Sequence, residues 1–320
     1  MDLLPRHHCA CARNCPFSAS TMKAILVTGG NKGIGYAICE RLLRDRDDTH
    51  VLLGSRSKSR GDQAREQLVA STPAWASRVE VLTIDTSKDE SVASAASDVA
   101  QRFGTLYGVV NNAGVADASP REIVDVNLYG VKRVSDAFAP ILHRPGGRLV
   151  HISSGSGPMF VADLEDQMRV EFFKRGNCSW EELHAAAQAF LADVDARNLA
   201  WAGVKPLGSE ADIRYAAYGF SKAALNVLVR QHSRTWPDLV CTACSPGFIV
   251  TDLTVAIMGA RGSTPEAAGA LPPEKGTIAV WKLLFDTNGV ISGRYYGSDG
   301  LRSPVDKYRS PGTPEYDQEF

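Results

Sequence analysis

"KAILVTGGNKGIGYAICERLLRD", residues 23–45, decides the fold. Its first six residues form a short apolar run that reads as a buried strand, and the segment "GYAICERLLRD" has the three-to-four periodicity of a helix. The turn between them is "TGGNKGIG", Thr28 to Gly35. Gly29 permits a tight turn, Gly33 lets a backbone come close to a pyrophosphate, and Gly35 lets the helix pack near the strand. Together they bring a phosphate to a helix N-terminus.

Working outward, further strands are read at 50–55, 79–84, 107–110, 147–153, 239–245 and 292–297, with helical patterns such as "ALNVLVRQHSRTW" between them. Strand and helix alternating in this way predict an α/β fold, a single Rossmann-type, doubly wound, parallel seven-stranded sheet with helices on both faces. No internal repeat, low-complexity tract or domain boundary interrupts the core.

Composition sets the outer limits. The 320 residues are 44% hydrophobic and 22% charged, and the formal net charge is −1. That balance suits a soluble globular chain acting on a small molecule and gives no electrostatic reason for nucleic acid or an anionic membrane as partner. Seven scattered cysteines do not form a disulfide framework, so a reducing, cytoplasmic setting is expected, and no run is long and apolar enough to span a membrane. Residues 1–21 lack a secretory pattern and read as a disordered extension, with Met22 standing just before the first strand. The group His7, His8, Cys9, Cys11 and Cys15 matches no zinc spacing, and no metal is expected. Residues 301–320 are polar and carry prolines, and read as a tail lying on or off the domain.

The choice of nucleotide is sought at the end of the second strand, which reads Gly54, Ser55, Arg56. No carboxylate is there to accept from a ribose 2′-hydroxyl, whereas Arg56 and the loop's Lys32 offer charge for a 2′-phosphate, pointing to NADPH/NADP+. Asp85 is placed to bond the adenine amino group, and "NNAG", Asn111 to Gly114, suits close backbone approach.

"RYAAYGFSK", Arg214 to Lys222, holds two tyrosines and one lysine on one helical face. Four residues of helix rise about 6 Å and seven about 10.5 Å, so Tyr218, not Tyr215, belongs beside the Lys222 ammonium. A cation about 4 Å from a phenol at an effective dielectric near 20 is worth up to roughly 4 kcal/mol, about three pKa units, and is expected to pull Tyr218 toward neutrality. Tyr215 reads as packing or pocket wall.

"TGGNKGIG", "NNAG", "HISS", "YGFSK" and "SPGFIVTD" follow one another in order, and over residues 22–300 the chain resembles the short-chain dehydrogenase/reductase family, most of all its carbonyl reductases, which share the Asn31-Lys32 pair. The resemblance implies a catalytic tetrad at Asn127, Ser154, Tyr218 and Lys222. Tyr218 would be the general acid, Ser154 the donor that fixes the substrate oxygen, Lys222 a partner of the nicotinamide ribose, and Asn127 the holder of a water leading from Lys222 to solvent. It also implies cofactor contacts from Gly29, Asn31, Lys32, Gly33, Ile34, Gly35, Arg56, Asp85, Asn112, Ala113, Gly114, Tyr218 and Lys222. "PGFIVTD" adds Pro246, Gly247, Ile249 and Thr251 around the nicotinamide. The substrate implied is a small carbonyl compound. Reduction is the first expectation. Alcohol oxidation or a narrow biosynthetic ketoreduction is the alternative, with a non-catalytic NADP sensor further off because both Tyr218 and Lys222 remain.

The gap between Ser154 and Tyr218 is long for this family and implies an insertion, about residues 158–214. Ser179 and Glu182 form a capping box opening a helix with Leu183, Ala187, Phe190, Leu191 and Val194 on one side. A second helix is expected in 163–175. By resemblance such an insertion covers a dimer face, so a monomer is expected. Met159, Phe160, Phe172, Phe173 and Trp201 are left open between core packing and substrate pocket.

Overall fold

The computed structural model describes residues 22–196, 209–259 and 262–318. Residues 1–21 and Trp201, read from sequence as an extension and as a packing or pocket residue, lie outside them.

Seven strands form one parallel sheet: β1 (Lys23–Val27), β2 (Thr49–Ser55), β3 (Val79–Thr83), β4 (Gly108–Asn111), β5 (Arg148–Ile152), β6 (Val240–Cys244) and β7 (Tyr295–Tyr296). Their spatial order is β3-β2-β1-β4-β5-β6-β7. The helices are α1 (Gly33–Asp45), α2 (Lys58–Ser71), α3 (Asp89–Phe103), α4 (Pro120–Val124), α5 (Gly130–Phe138), α6 (Ser156–Ala162), α7 (Gln167–Arg175), α8 (Trp180–Asp195), α9 (Glu210–Thr235), α10 (Asp252–Gly259) and α11 (Ile278–Phe285).

Period-two alternation places successive strand residues on opposite faces, and here both faces are dry. Ile25, Val27, Val51 and Leu53 pack with Ile38 and Leu42 of α1 and Leu283 of α11. Leu26, Leu52, Val109 and Leu149 pack with Val92 and Val99 of α3 and Val134 and Phe138 of α5. The chain order reverses between β1 and β4, so a crevice opens there above the carboxyl ends of the strands.

Among the described residues, α6, α7 and α8 stand between β5 and α9. The Ser179 box is formed: Ser179 Oγ accepts from Glu182 N, and Glu182 accepts from Ser179 N. All five residues expected on the inner side of α8 are buried. Phe160, Phe173 and Phe190 gather around Phe220 of α9, with Phe190 and Phe220 stacked at 4.2 Å between centroids. Phe160 and Phe173 are therefore core, Phe172 packs against the same cluster, and Met159 is exposed.

Residues 301–318 lie on the domain. Arg302 bridges antiparallel to Tyr296, and Val305 is buried with Tyr295, Ala243 and Val229. Among the described residues no helix is long and apolar enough to cross a membrane.

Candidate active site

The glycine turn is held by its neighbour loop. Thr28 Oγ1 accepts from both Asn112 N and Ala113 N at 3.0 Å, and Asn112 Nδ2 donates to Thr28 O at 2.9 Å and Gly29 O at 3.2 Å. Gly29 and Gly33 sit at φ +64° and +54°, where a side chain strains the backbone. A Cβ on Gly35 would lie 2.2 Å from Gly29 O, so the helix can start this close to the strand only with glycine. The first turn of α1 has neither a capping side chain nor an acidic residue, which leaves its backbone N–H groups facing the crevice. An open cradle of this kind fits a dinucleotide's pyrophosphate.

Arg56 is exposed just after β2; burial opposes ionisation of the Asp85 carboxyl, but hydrogen bonds from Ser87 and, after them, the charge of Arg56 hold it below the ordinary range. Asp85 also accepts from Ser87 N and Oγ. Lys32 turns the other way: its Nζ pairs with Asp252 at 2.5 Å across the crevice. The cation expected for a 2′-phosphate is thus shared with a carboxylate of the "SPGFIVTD" segment.

On the other wall, α6 and α9 cross at van der Waals contact. A Cβ on Gly157 would fall 2.9 Å from Lys222 C, and one on Gly219 would fall 3.0 Å from Phe160 Cβ. This close crossing sets the turn that carries Ser154 against Tyr218. Ser154 Oγ accepts from Ser156 N at 3.2 Å and donates to Ser156 Oγ at 3.3 Å. Lys222 is buried, and its Nζ donates to Ile152 O at 2.8 Å and lies 5.6 Å from the centre of the Tyr218 ring. Burial brings the Lys222 ammonium down to about 8.

The acidity of Tyr218 differs from the sequence expectation. Burial raises its pKa above the ordinary phenol, and hydrogen bonding with Ser154 offsets this only in part. Sequence spacing brings the cation to the ring but does not aim it. Here the ammonium is tied to a backbone carbonyl, so its field on the phenol oxygen does not overcome desolvation.

Asn127 lies in a π-helical turn, Asp125–Tyr129, between α4 and α5. Its amide is spoken for: Oδ1 accepts from Val115 N and Nδ2 donates to Val115 O, both at 2.9 Å, and to Ser221 Oγ at 3.1 Å. The expected water-holding role therefore does not fall to the amide's Nδ2 in this arrangement. A Cβ on Gly114 would lie 3.1 Å from Asn127 Oδ1 and 3.7 Å from Lys222 Nζ, so the missing side chain leaves a space that both groups border.

Ile34, Asn112, Gly114, Ser154, Tyr218, Lys222, Pro246, Gly247, Ile249 and Thr251 line one cavity of about 480 Å³. Gly29, Asn31, Lys32, Gly33, Gly35, Arg56, Asp85, Ala113 and Asn127 stand outside its lining. Ile152, Ser153 and Ser156 line it on either side of Ser154, Phe248, Leu253, Thr254, Met258 and Ala268 add wall that sequence reasoning did not single out, and Tyr215 takes its place there as wall. Thr28 was legible only as part of its motif, and apolar loop residues such as Phe248 carry no pattern.

The family model of the short chain dehydrogenases matches residues 23–164. A carbonyl reductase (NADPH) 1 of Rattus norvegicus is 28% identical over 274 residues, 80% of this chain and 90% of that protein. The short-chain dehydrogenase/reductase 1 of Saponaria officinalis is 29% identical over 85% of this chain and 92% of its own. Salutaridine reductase from Papaver somniferum superposes with a TM-score of 0.71 at 24% identity, over 86% of this chain and 99% of that one. The parallel sheet, the glycine turn and the Ser-Tyr-Lys wall agree with these likenesses, and the chain is similar to the short-chain dehydrogenase/reductase family.

Proposed function

We propose that this oxidoreductase reduces ketones, aldehydes or quinones to alcohols with NADPH. One observation carries the reading: the Ser154, Tyr218 and Lys222 side chains share a cavity with Ile34, Asn112 and Gly114 of the nucleotide crevice. NADPH, when bound, supplies the hydride that goes to the carbonyl carbon. Gly29, Gly33 and Gly35 would hold its pyrophosphate, Arg56 and Lys32 its 2′-phosphate, and Pro246 to Thr251 its nicotinamide end.

The protein's own groups manage the oxygen. Ser154 Oγ, positioned by Ser156, donates a hydrogen bond that fixes the carbonyl and answers its growing charge. Tyr218 gives up its phenolic proton to that oxygen. A phenol is protonated at neutral pH, so Tyr218 enters the reducing reaction with its proton in place. Lys222 stays beneath the ring as a cation and steadies the phenolate that remains.

Among the described residues that line the cavity, Lys222 alone is charged, which favours neutral substrates. α7 and α8 lie over α9, a cover that favours a monomer. A cytoplasmic setting is part of the same reading. The test is a panel of a quinone, an aromatic aldehyde and a cyclic ketone, each with NADPH and NADH, followed at the nicotinamide absorbance. Faster turnover with NADPH on one or more members is expected, and no turnover of any would overturn the reading.

A further inference from the structure

The C-terminal segment does more than cover the sheet. Tyr308 lies with one ring edge beside Gly155, the residue after Ser154: a Cβ there would sit 2.8 Å from Tyr308 Cε2 and 3.0 Å from Cδ2. On the opposite wall of the cavity, Gly247 stands at φ +94°, and a Cβ there would meet Ser298 Cβ at 3.2 Å. Both walls are thus packed closely by these neighbours, Tyr308 from a half-exposed position and Ser298 from the turn beside Gly247.

Arg309 joins these two neighbours. Its side chain is 7% exposed and pairs with Asp299, the residue after Ser298. Its Nε donates to Ser303 Oγ at 2.9 Å and its Nη1 to Thr313 O at 2.8 Å. A Cβ on Gly297 would come within 2.6 Å of Arg309 Nη2, so the guanidinium occupies the room that this glycine leaves. Asp299 in turn accepts from Leu301 N at 3.1 Å and Gly312 N at 3.0 Å. A partly buried, multiply bonded Arg-carboxylate pair is stiffer than a surface ion pair.

We infer that Arg309 is a positioning residue, the hub of a clamp that sets the Ser154 turn through Tyr308 and the Gly247 turn through Asp299 and Ser298. It touches neither cavity nor substrate. Its effect reaches the reaction through the placing of Ser154 Oγ and of the segment about Gly247, and in that respect it rests on the reading of these walls proposed above. A displacement near 1 Å at such a group costs up to about a hundredfold in rate.

The full chain carrying Arg309→Ala should be compared with wild type by hydrogen exchange, nucleotide affinity and turnover. Exchange should quicken in peptides covering 153–159 and 245–249 and stay unchanged in β1 to β4. With a carbonyl that wild type reduces, kcat should fall about tenfold or more while the NADP+ dissociation constant moves less than about twofold. Tyr308→Ala should quicken exchange at 153–159 alone, and Arg309→Lys should restore part of kcat. Unchanged exchange at both turns, a uniform rise along the whole chain, or quickened exchange with normal kcat would each overturn the clamp. If wild type reduces no carbonyl, the proposed activity fails, and the two exchange patterns still decide whether Arg309 sets the walls.

Discussion

The two sides of the cavity are built from different materials. The nucleotide side is made of close-set backbone: Thr28 Oγ1 and Asn112 Nδ2 bond to main-chain groups and lock two loops together, and Gly29, Gly33 and Gly35 meet a positive φ or a close approach. The other side is made of side chains. Tyr215 and Phe248 are each 39% exposed, and Leu253 and Met258 line the cavity beside them. A shape fixed by close approach can accept one ligand framework, whereas apolar side chains that swing among rotamers can accommodate several. The difference assigns a constant partner to the first side and a variable one to the second.

The sharpest break in this contrast is within the second side itself, between Tyr218, the proposed proton donor, and the wall around it. Tyr218→Phe keeps the ring against Lys222 and removes the proton, so turnover should fall by about 10² to 10⁴ while nucleotide affinity holds. Tyr215→Phe removes a hydroxyl from the wall only, and turnover should change by less than about tenfold. Both variants should be assayed with one carbonyl and checked for NADPH binding by fluorescence. A dead Tyr215→Phe, or an active Tyr218→Phe, would reverse the assignment.

The next test belongs to the nucleotide side, where charge rather than shape selects. Arg56 is exposed, and its charge bears on Asp85. Arg56→Asp places a carboxylate where a 2′-phosphate would lie, so kcat/KM for NADPH should drop by about ten- to a hundredfold, with NADH affected far less. Equal losses with the two nucleotides would show that Arg56 is not the discriminating group.

What sequence could and could not tell follows the same division. The glycines were legible because each answers to a backbone requirement, a positive φ or a contact under 3 Å, that no other residue meets. The α8 capping box and its apolar side were legible through spacing. The acidity of Tyr218 was misjudged because spacing places Lys222 near the ring, while the direction of its Nζ depends on Ile152 O from a strand 70 residues away. The C-terminal segment gave no sign either. A polar, proline-bearing stretch reads as solvent-facing, yet Arg309 is almost wholly enclosed by partners, Asp299 and Ser303 among them, that have no periodic relation to it.

Beneath the reaction wall lies a second feature without pattern, a pair of buried histidines. His151 of β5 approaches Asn111 Nδ2 through Nδ1 at 3.1 Å and His232 Nδ1 through Nε2 at 3.3 Å, and Asn111 Nδ2 also donates to Ser135 Oγ. Burial first, then the nearby Lys222, lowers His151 to about 3. Burial first, then His151 and Lys132, hold His232 well below its ordinary value as well. Both folded values lie below the unfolded one near 6.5, so the unfolded chain binds more protons as pH falls. Stability should then be intact above about pH 6.5 and decline below it, by up to about 1.4 kcal/mol per pH unit for each histidine. Urea unfolding at pH 7.5, 6 and 5 measures this, and His232→Phe should flatten the slope. A slope that ignores the substitution would place the acid sensitivity elsewhere.

The smallest effect lies where the two sides meet. Lys32 of the glycine turn and Asp252 of the opposite segment pair at 2.5 Å, with side chains 62% and 77% exposed. Beside them a Cβ on Gly33 would touch Thr251 Cγ2 at 3.4 Å, so this is the point at which the rigid side is latched to the adaptable one. An exposed pair contributes little to stability, and Asp252→Asn should leave Tm nearly unchanged. Its consequence is for binding. The carboxylate holds the cation that a 2′-phosphate would use, and its removal should tighten NADPH by about two- to fivefold at low ionic strength, an advantage that fades when salt shortens the Debye length to a few ångströms. NADH, with no 2′-phosphate to claim Lys32, should gain much less. Titration of both nucleotides by fluorescence at about 20 mM and 500 mM salt distinguishes the cases. Weaker NADPH binding by the variant would mean that Asp252 holds Lys32 in the posture the nucleotide needs, and the latch would then be an aid to binding rather than a competitor for the phosphate.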